Sequence, residues 1–204
     1  MDASSFPVPA TAVALPLLAL STLILDTPPL IWHIRNRNIA AAALVVWFMI
    51  INLFNFVNPL IWPTDDVGHW FRGYILCDVE IKLFPASYVG VVGSLIGIMR
   101  NLAKILDTKH TVLAPTKAQR QRQQLIDILL CFGFPSIFMG LHYVVQQYRY
   151  WIAGVTGCIT PYHQSWMSVA LIFIWPPVLS GVVLYYCGKS VYSELCLALA
   201  NSLP

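Results

Sequence analysis

The chain has 204 residues, of which 58% are hydrophobic and only 10% charged, with a net charge of +3 and a mean hydropathy of +0.69. A soluble domain carries roughly 25% charged residues, and a single water-facing core could not hide this much apolar surface. A soluble enzyme, a nucleic-acid-binding module and a disordered tail are therefore disfavoured together, leaving an integral membrane protein.

A spanning helix needs about 20 apolar residues, or roughly 40 with its connection, so there is room for about five. Continuous apolar runs of helix length disfavour a barrel, whose strands alternate. The expected fold is an all-α polytopic transmembrane bundle with spans at about 8–30, 39–62, 74–102, 124–146 and 166–187. Residues 1–190 form the bundle and 191–204 a short tail.

The first span follows a stretch whose only charge is Asp2. Without a positive n-region it does not resemble a cleaved signal peptide. Every span contains proline, at Pro16, Pro59, Pro85, Pro135 and the pair Pro176–Pro177. In lipid the carbonyls freed by these residues are met by neighbouring helices and local adjustments. Ordinary kinks and the hinges of a moving bundle are both open readings. The second span carries Asn52, Asn55 and Asn58, a polar stripe expected to hydrogen-bond to other helices.

The third span holds Asp78, Glu80 and Lys82 near one end. Asp78 and Lys82 are four apart and can pair on one helix face. Glu80 either snorkels or reaches a neighbouring helix, a water-filled cavity or a ligand. Asp127 opens the fourth span, where the helix dipole favours an acid. Cys131 is expected to be plain packing, and Cys187 and Cys196 carry only a weak palmitoylation signal. Asp26 is assigned no role.

Charge sets the orientation. Arg35, Arg37, Arg100, Lys104, Lys109, Lys117, Arg120, Arg122 and Lys189 fall on one side; Arg72 and Arg149, beside Asp65 and Asp66, fall on the other. That places the N-terminus outside and makes the net charge a topology signal. Cys77, at the outer end of the third span, and Cys158, in the loop between spans four and five, then face the oxidising side. A disulfide is feasible there, with two unpaired thiols as the alternative. The outer loops also hold Trp70, Phe71, Tyr74, Tyr148, Tyr150, Trp151, Tyr162 and Trp166. These suit either the aromatic belt of membrane proteins or an amphipathic ligand mouth. His33, His69, His110, His142 and His163 are scattered, and no catalytic or phosphate-loop motif occurs. Neither an enzyme nor a metal or other cofactor is expected.

Several stretches together resemble the fungal Ste3-type mating pheromone receptors, a class of G-protein-coupled receptor. They are P-P-L-I-W-H-I-R-N-R-N from Pro28 to Asn38, N-L-F-N-F-V-N-P-L-I-W-P from Asn52 to Pro63, and L-C-D-V-E-I-K-L from Leu76 to Leu83. The G-C-I-T of the outer loop, ahead of Ser165–Trp166, and Trp175–Pro176–Pro177 join them. The resemblance implies a multi-pass plasma-membrane receptor for a farnesylated peptide pheromone, signalling to a heterotrimeric G protein. Trp70, Tyr74, Asp78, Glu80, Lys82 and Trp166 are then ligand-side candidates. Arg35, Arg37, Arg100, Lys104, Arg120 and Arg122 are G-protein-side candidates, although a basic segment also suits anionic lipid headgroups.

That family has seven spans, and this chain ends shortly after the fifth. A fragment, a truncated form or a receptor-derived protein that no longer signals is expected. Such a bundle would be unstable alone or would pair with a second chain. The alternatives are a small transporter or channel using the span-three charges, and a non-signalling interaction protein that keeps receptor helices for dimerisation.

Overall fold

Within a bilayer an apolar segment has no water to satisfy its backbone, so it forms a helix. Among its described residues, the computed structural model contains five helices long and apolar enough to cross a membrane. It describes residues 8–64, 70–106 and 116–202, the last stretch by backbone alone beyond Tyr192. Asp2, Asp65, Asp66, His69, Lys109 and His110 lie outside the described residues, as do the side chains of Glu194 and Cys196.

The first three spans are α1 (Ala10–Arg35), α2 (Ile39–Ile61) and α3 (Tyr74–Leu106). The fourth combines α4 (Lys117–Ile128), a π turn over Leu129–Gly133, and α5 (Phe134–Val145). The fifth combines α6 (Trp166–Ser168), a π turn over Val169–Phe173, and α7 (Trp175–Ser202). Between α5 and α6 lies an antiparallel hairpin of β1 (Trp151–Ala153) and β2 (Gly157–Ile159), with Ile152 opposite Cys158. This hairpin is an addition to the all-α expectation.

Helix ends differ from the expected spans where polar residues continue a helix past its apolar stretch. The fourth starts at Lys117 because Thr116 and Gln119 form a capping box. Asp127 is thus near the end of α4, and the helix-dipole reading of it is corrected. The fifth runs through the expected tail to Ser202. Between α1 and α2 the chain turns through Arg37 at φ 55°, and the Asn38 side chain caps α2 by accepting from Ala41 N.

The central element is α3, packed on α2, α5, the first π turn and α7. Small residues let these partners approach closely. A Cβ on Gly90 would lie 2.2 Å from the Trp47 ring, and one on Gly93 would lie 2.4 Å from the Leu130 carbonyl oxygen.

Two prolines leave carbonyls that neighbours occupy. Pro135 has no N–H for the carbonyl of Cys131, four residues back, and the Trp47 indole donates to it at 2.9 Å. Pro85 likewise cannot serve Ile81, whose carbonyl accepts from Thr160 Oγ1 at 3.4 Å.

Candidate functional site

One end of the bundle is roofed by the hairpin, and the roof is fastened at several points. Cys77 of α3 and Cys158 of β2 form a disulfide with Cα atoms 5.2 Å apart. Trp62, fully buried, packs on that bond and on Ile81, while its carbonyl accepts from Val155 N at 2.7 Å. The turn residue Gly157 has φ 86°, and a Cβ there would strike the Asn58 side chain at 2.2 Å. Asn58 Nδ2 donates to Thr156 O of the hairpin at 2.8 Å. Tyr150 Oη donates to Arg72 O at 3.0 Å.

The three charged residues in the first turns of α3 find partners in other elements, which corrects the expected Asp78–Lys82 pair. Asp78 takes both nitrogens of a bidentate contact from Arg149, at 3.0 Å and 2.6 Å. Arg149 is exposed and lies over the Tyr74 and Tyr150 rings. Its hydrogen bonds to Asp78 raise its affinity for the proton further. Lys82 Nζ turns to α5 and its end, donating to Gln146 Oε1 at 2.7 Å and to His142 Nδ1 at 3.0 Å. The physical reason is competition: each charge has a better-placed partner across the helix interface than along its own helix.

Glu80 is buried and accepts from Asn58 Nδ2 at 2.5 Å through Oε1. It reaches a neighbouring helix rather than snorkelling. Its Oε2 is buried with no hydrogen-bond partner. Elsewhere in the α2 stripe, Asn52 bonds to its own helix at Phe48 O, whereas Asn58 crosses to α3.

Below the hairpin, Glu80 edges a cavity of about 610 Å³. Its wall is otherwise mostly apolar and aromatic: Phe84, Tyr88 and Val89 from α3, Phe138 from α5, and Ile172 and Phe173 from the second π turn. Thr156, Cys158 and Thr160 close it from the loop. Tyr162, also on the wall, stacks edge-on against both His142 and Phe173. Burial pushes its phenol up to about 12. The cavity can hold a bulky apolar group beside one carboxylate oxygen.

Of the six residues expected on the ligand side, Glu80 alone lines this cavity. Trp70 packs against the disulfide cluster, its Nε1 donating to Thr64 O at 2.8 Å. Tyr74 and Trp166 are exposed. In the sequence Phe84, Phe138, His142 and Phe173 carry no distinguishing signal, because aromatic and imidazole side chains in a span look like ordinary packing. Arg149 shows there only as a charge in an outer loop.

The opposite end carries the other expected cluster. Arg100 is turned inward, pairing with Asp127 at 2.7 Å, and its side chain is only 11% exposed. Asn101 Nδ2 donates to the second Asp127 oxygen at 3.2 Å. Arg35, Arg37, Lys104, Arg120 and Arg122 remain exposed.

The profile of the pheromone A receptor family (STE3) matches residues 14–196. The chain is 32% identical over 182 residues to pheromone receptor 1 of Mycosarcoma maydis, covering 88% of this chain and 47% of that protein. It is 31% identical over 180 residues to the pheromone a factor receptor of Saccharomyces cerevisiae, covering 88% of this chain and 36% of that one. With the pheromone B alpha 3 receptor of Schizophyllum commune the identity is 29%, over 89% of this chain and 27% of the relative. The chain thus spans less than half the length of these relatives. No solved structure matches it significantly. With a family profile covering nearly all of a chain built from five bilayer-length helices, the protein belongs to the pheromone A receptor family.

Proposed function

We propose that the protein acts as a mating-pheromone receptor at the plasma membrane. Its ligand is a lipidated peptide, and its output goes to a heterotrimeric G protein. The observation that carries this reading is the apolar cavity beneath the tethered hairpin, within the size range of sites that bury small ligands. A farnesyl group would take the aromatic wall, and the free oxygen of Glu80 would accept from a donor on the peptide. On this reading Tyr74, Asp78 and Trp166 meet the peptide outside the cavity, while Trp70 and Lys82 position neighbouring side chains. The exposed Arg35, Lys104 and Arg122 face the G protein, and Arg100 supports that face from inside.

The test uses the full chain in lipid nanodiscs with a photoreactive S-farnesyl-cysteine methyl ester. Labelling is expected on the peptides holding Phe84–Val89 and Ile172–Pro176, and an unreactive analogue should compete it away. Labelling confined to the outward faces of α1 would sink the site. Stimulated nucleotide exchange on an added G protein, measured in the same nanodiscs with a pheromone peptide, tests the output.

A further inference from the structure

At the end away from the hairpin, two cavities share a wall. One, of about 720 Å³, lies between the α1–α2 turn and the start of α4, and is lined by polar side chains that include Arg37, Lys117 and Arg120. The other, of about 400 Å³, is mainly apolar and is lined by residues of α1, α2 and the fourth span, among them Leu30, Val46 and Phe132. Arg37, Asn38, Ile39 and Gln124 border both.

The polar cavity has a surplus of positive charge. Its single acid, Asp127, is already neutralised by Arg100 and hydrogen-bonded by Asn101. Among the described residues, Arg37, Lys117 and Arg120 have no ion-pair or hydrogen-bond partner for their side chains. The nearby backbone donors are occupied, which leaves an anion to the side chains: the amides of Asn36, Arg37 and Asn38 bond to Trp32, Ile34 and His33 carbonyls, and Thr116 N donates to Gln119 Oε1. Three cations therefore converge on a space at the helix ends, directly beside an apolar slot.

We propose that the paired cavities hold one anionic phospholipid. Its phosphorylated headgroup lies among Arg37, Lys117 and Arg120, and an acyl chain lies in the apolar slot. Guanidinium forks match phosphate oxygens in pairs, and basic side chains at this depth attract anionic headgroups. A headgroup with more than one phosphate fits better than a singly charged one, which would leave two of the three cations uncompensated. The apolar slot separates this occupant from a soluble anion or a protein partner, since neither supplies a chain to fill it. The inference needs neither the pheromone nor the G protein, so its failure is distinct from failure of the receptor reading.

Native mass spectrometry of the detergent-purified full chain tests it, with phosphatidylinositol bisphosphate, phosphatidylserine and phosphatidylcholine as probes. The bisphosphate lipid is expected to stay bound where the other two are lost. Combining Arg37→Asn, which tolerates the left-handed turn, with Arg120→Gln should weaken it by roughly thirty-fold, from the loss of two cations at a headgroup. Arg122→Gln, exposed and lining neither cavity, should leave it bound. Val46→Trp should weaken the lipid while leaving the weaker binding of soluble inositol trisphosphate unchanged. Equal retention of phosphatidylserine, or an equal loss with Arg122→Gln, would mean diffuse charge attraction and overturn the site. Inositol trisphosphate binding as tightly as the lipid would also overturn it, leaving a plain anion site. So would a double variant that keeps the lipid and loses only G-protein exchange.

Discussion

Asn58 touches three parts of the molecule with one amide. From α2 it donates to Glu80 on α3 and to the Thr156 carbonyl in the hairpin turn. Asn58→Ala would strand a buried carboxylate and a turn carbonyl, so a loss of about 1–3 kcal/mol is expected in chemical unfolding. Adding Glu80→Met should cost less than the two single losses combined, because the stranded carboxyl group is then gone. Additive losses would show that the pair is not coupled. Gly93→Ala would place a methyl against the Leu130 carbonyl and should cost about 1–3 kcal/mol. Gly140→Ala meets nothing within 4 Å and should be neutral or gain up to about 1 kcal/mol. Tyr162 lies between spans, and its phenol is raised from 10.0 to about 12. Its folded form therefore keeps a proton that the unfolded form has already lost, and stability should fall as pH rises from about 10 to about 12. An absorbance titration should show Tyr162 ionising after the exposed tyrosines, and Tyr162→Phe should remove that alkaline loss. Glu80 stood out in the sequence as a costly charge in an apolar run, but its partner did not. Which of three asparagines crosses the interface depends on the rotation of α2 against α3, and three-residue spacing leaves that open.

Among the elements, the spanning helices were legible and the hairpin was not. Long apolar runs announce a helix whatever surrounds them. Trp151–Ala153 and Gly157–Ile159 are too short for a strand pattern of four to eight residues. What makes them a hairpin is the fastening by Cys77, Trp62 and Asn58, which lie about 80 to 100 residues away in the chain. Cys77→Ser with Cys158→Ser should loosen that roof: proteolysis between Tyr148 and Tyr162 is expected to speed up, and photolabelling of the cavity to fall. Unchanged protection would mean that the polar contacts alone hold the hairpin. The π turns belong to the same scale. Proline in each span was plain from the sequence, but the donors that answer Pro135 and Pro85 come from Trp47 and Thr160 on other elements. Trp47→Phe keeps an aromatic group but deletes the indole N–H and part of the buried ring, so a loss of about 1 kcal/mol or more is expected, larger than for an exposed tryptophan.

For the molecule as a whole, the charge asymmetry predicts that the hairpin faces outside and the basic cavity faces the cytoplasm. Tyr148→Cys and Arg122→Cys, each made with Cys131→Ala, Cys187→Ala and Cys196→Ala, place a thiol on exposed positions at opposite ends. An impermeant maleimide should label the first in intact cells and the second only after permeabilisation; the reverse pattern would invert the orientation. At this scale α3 unites the two sites. It carries Glu80 and the cavity wall at one end, and at the other Arg100 with Asn101, roughly 30 Å along the axis.

The bond from Trp47 to the Cys131 carbonyl has a bearing on biosynthesis. Helices that insert one at a time are usually treated as self-sufficient, associating only afterwards. The fourth span is not self-sufficient in that sense, because beside Pro135 its regular helical donor is missing. Until α2 supplies the indole, the nascent segment carries a carbonyl whose exposure to hydrocarbon is costly. Partner choice is thereby imposed by an unmet valence, and the second and fourth spans are committed to one another as soon as both are in the lipid.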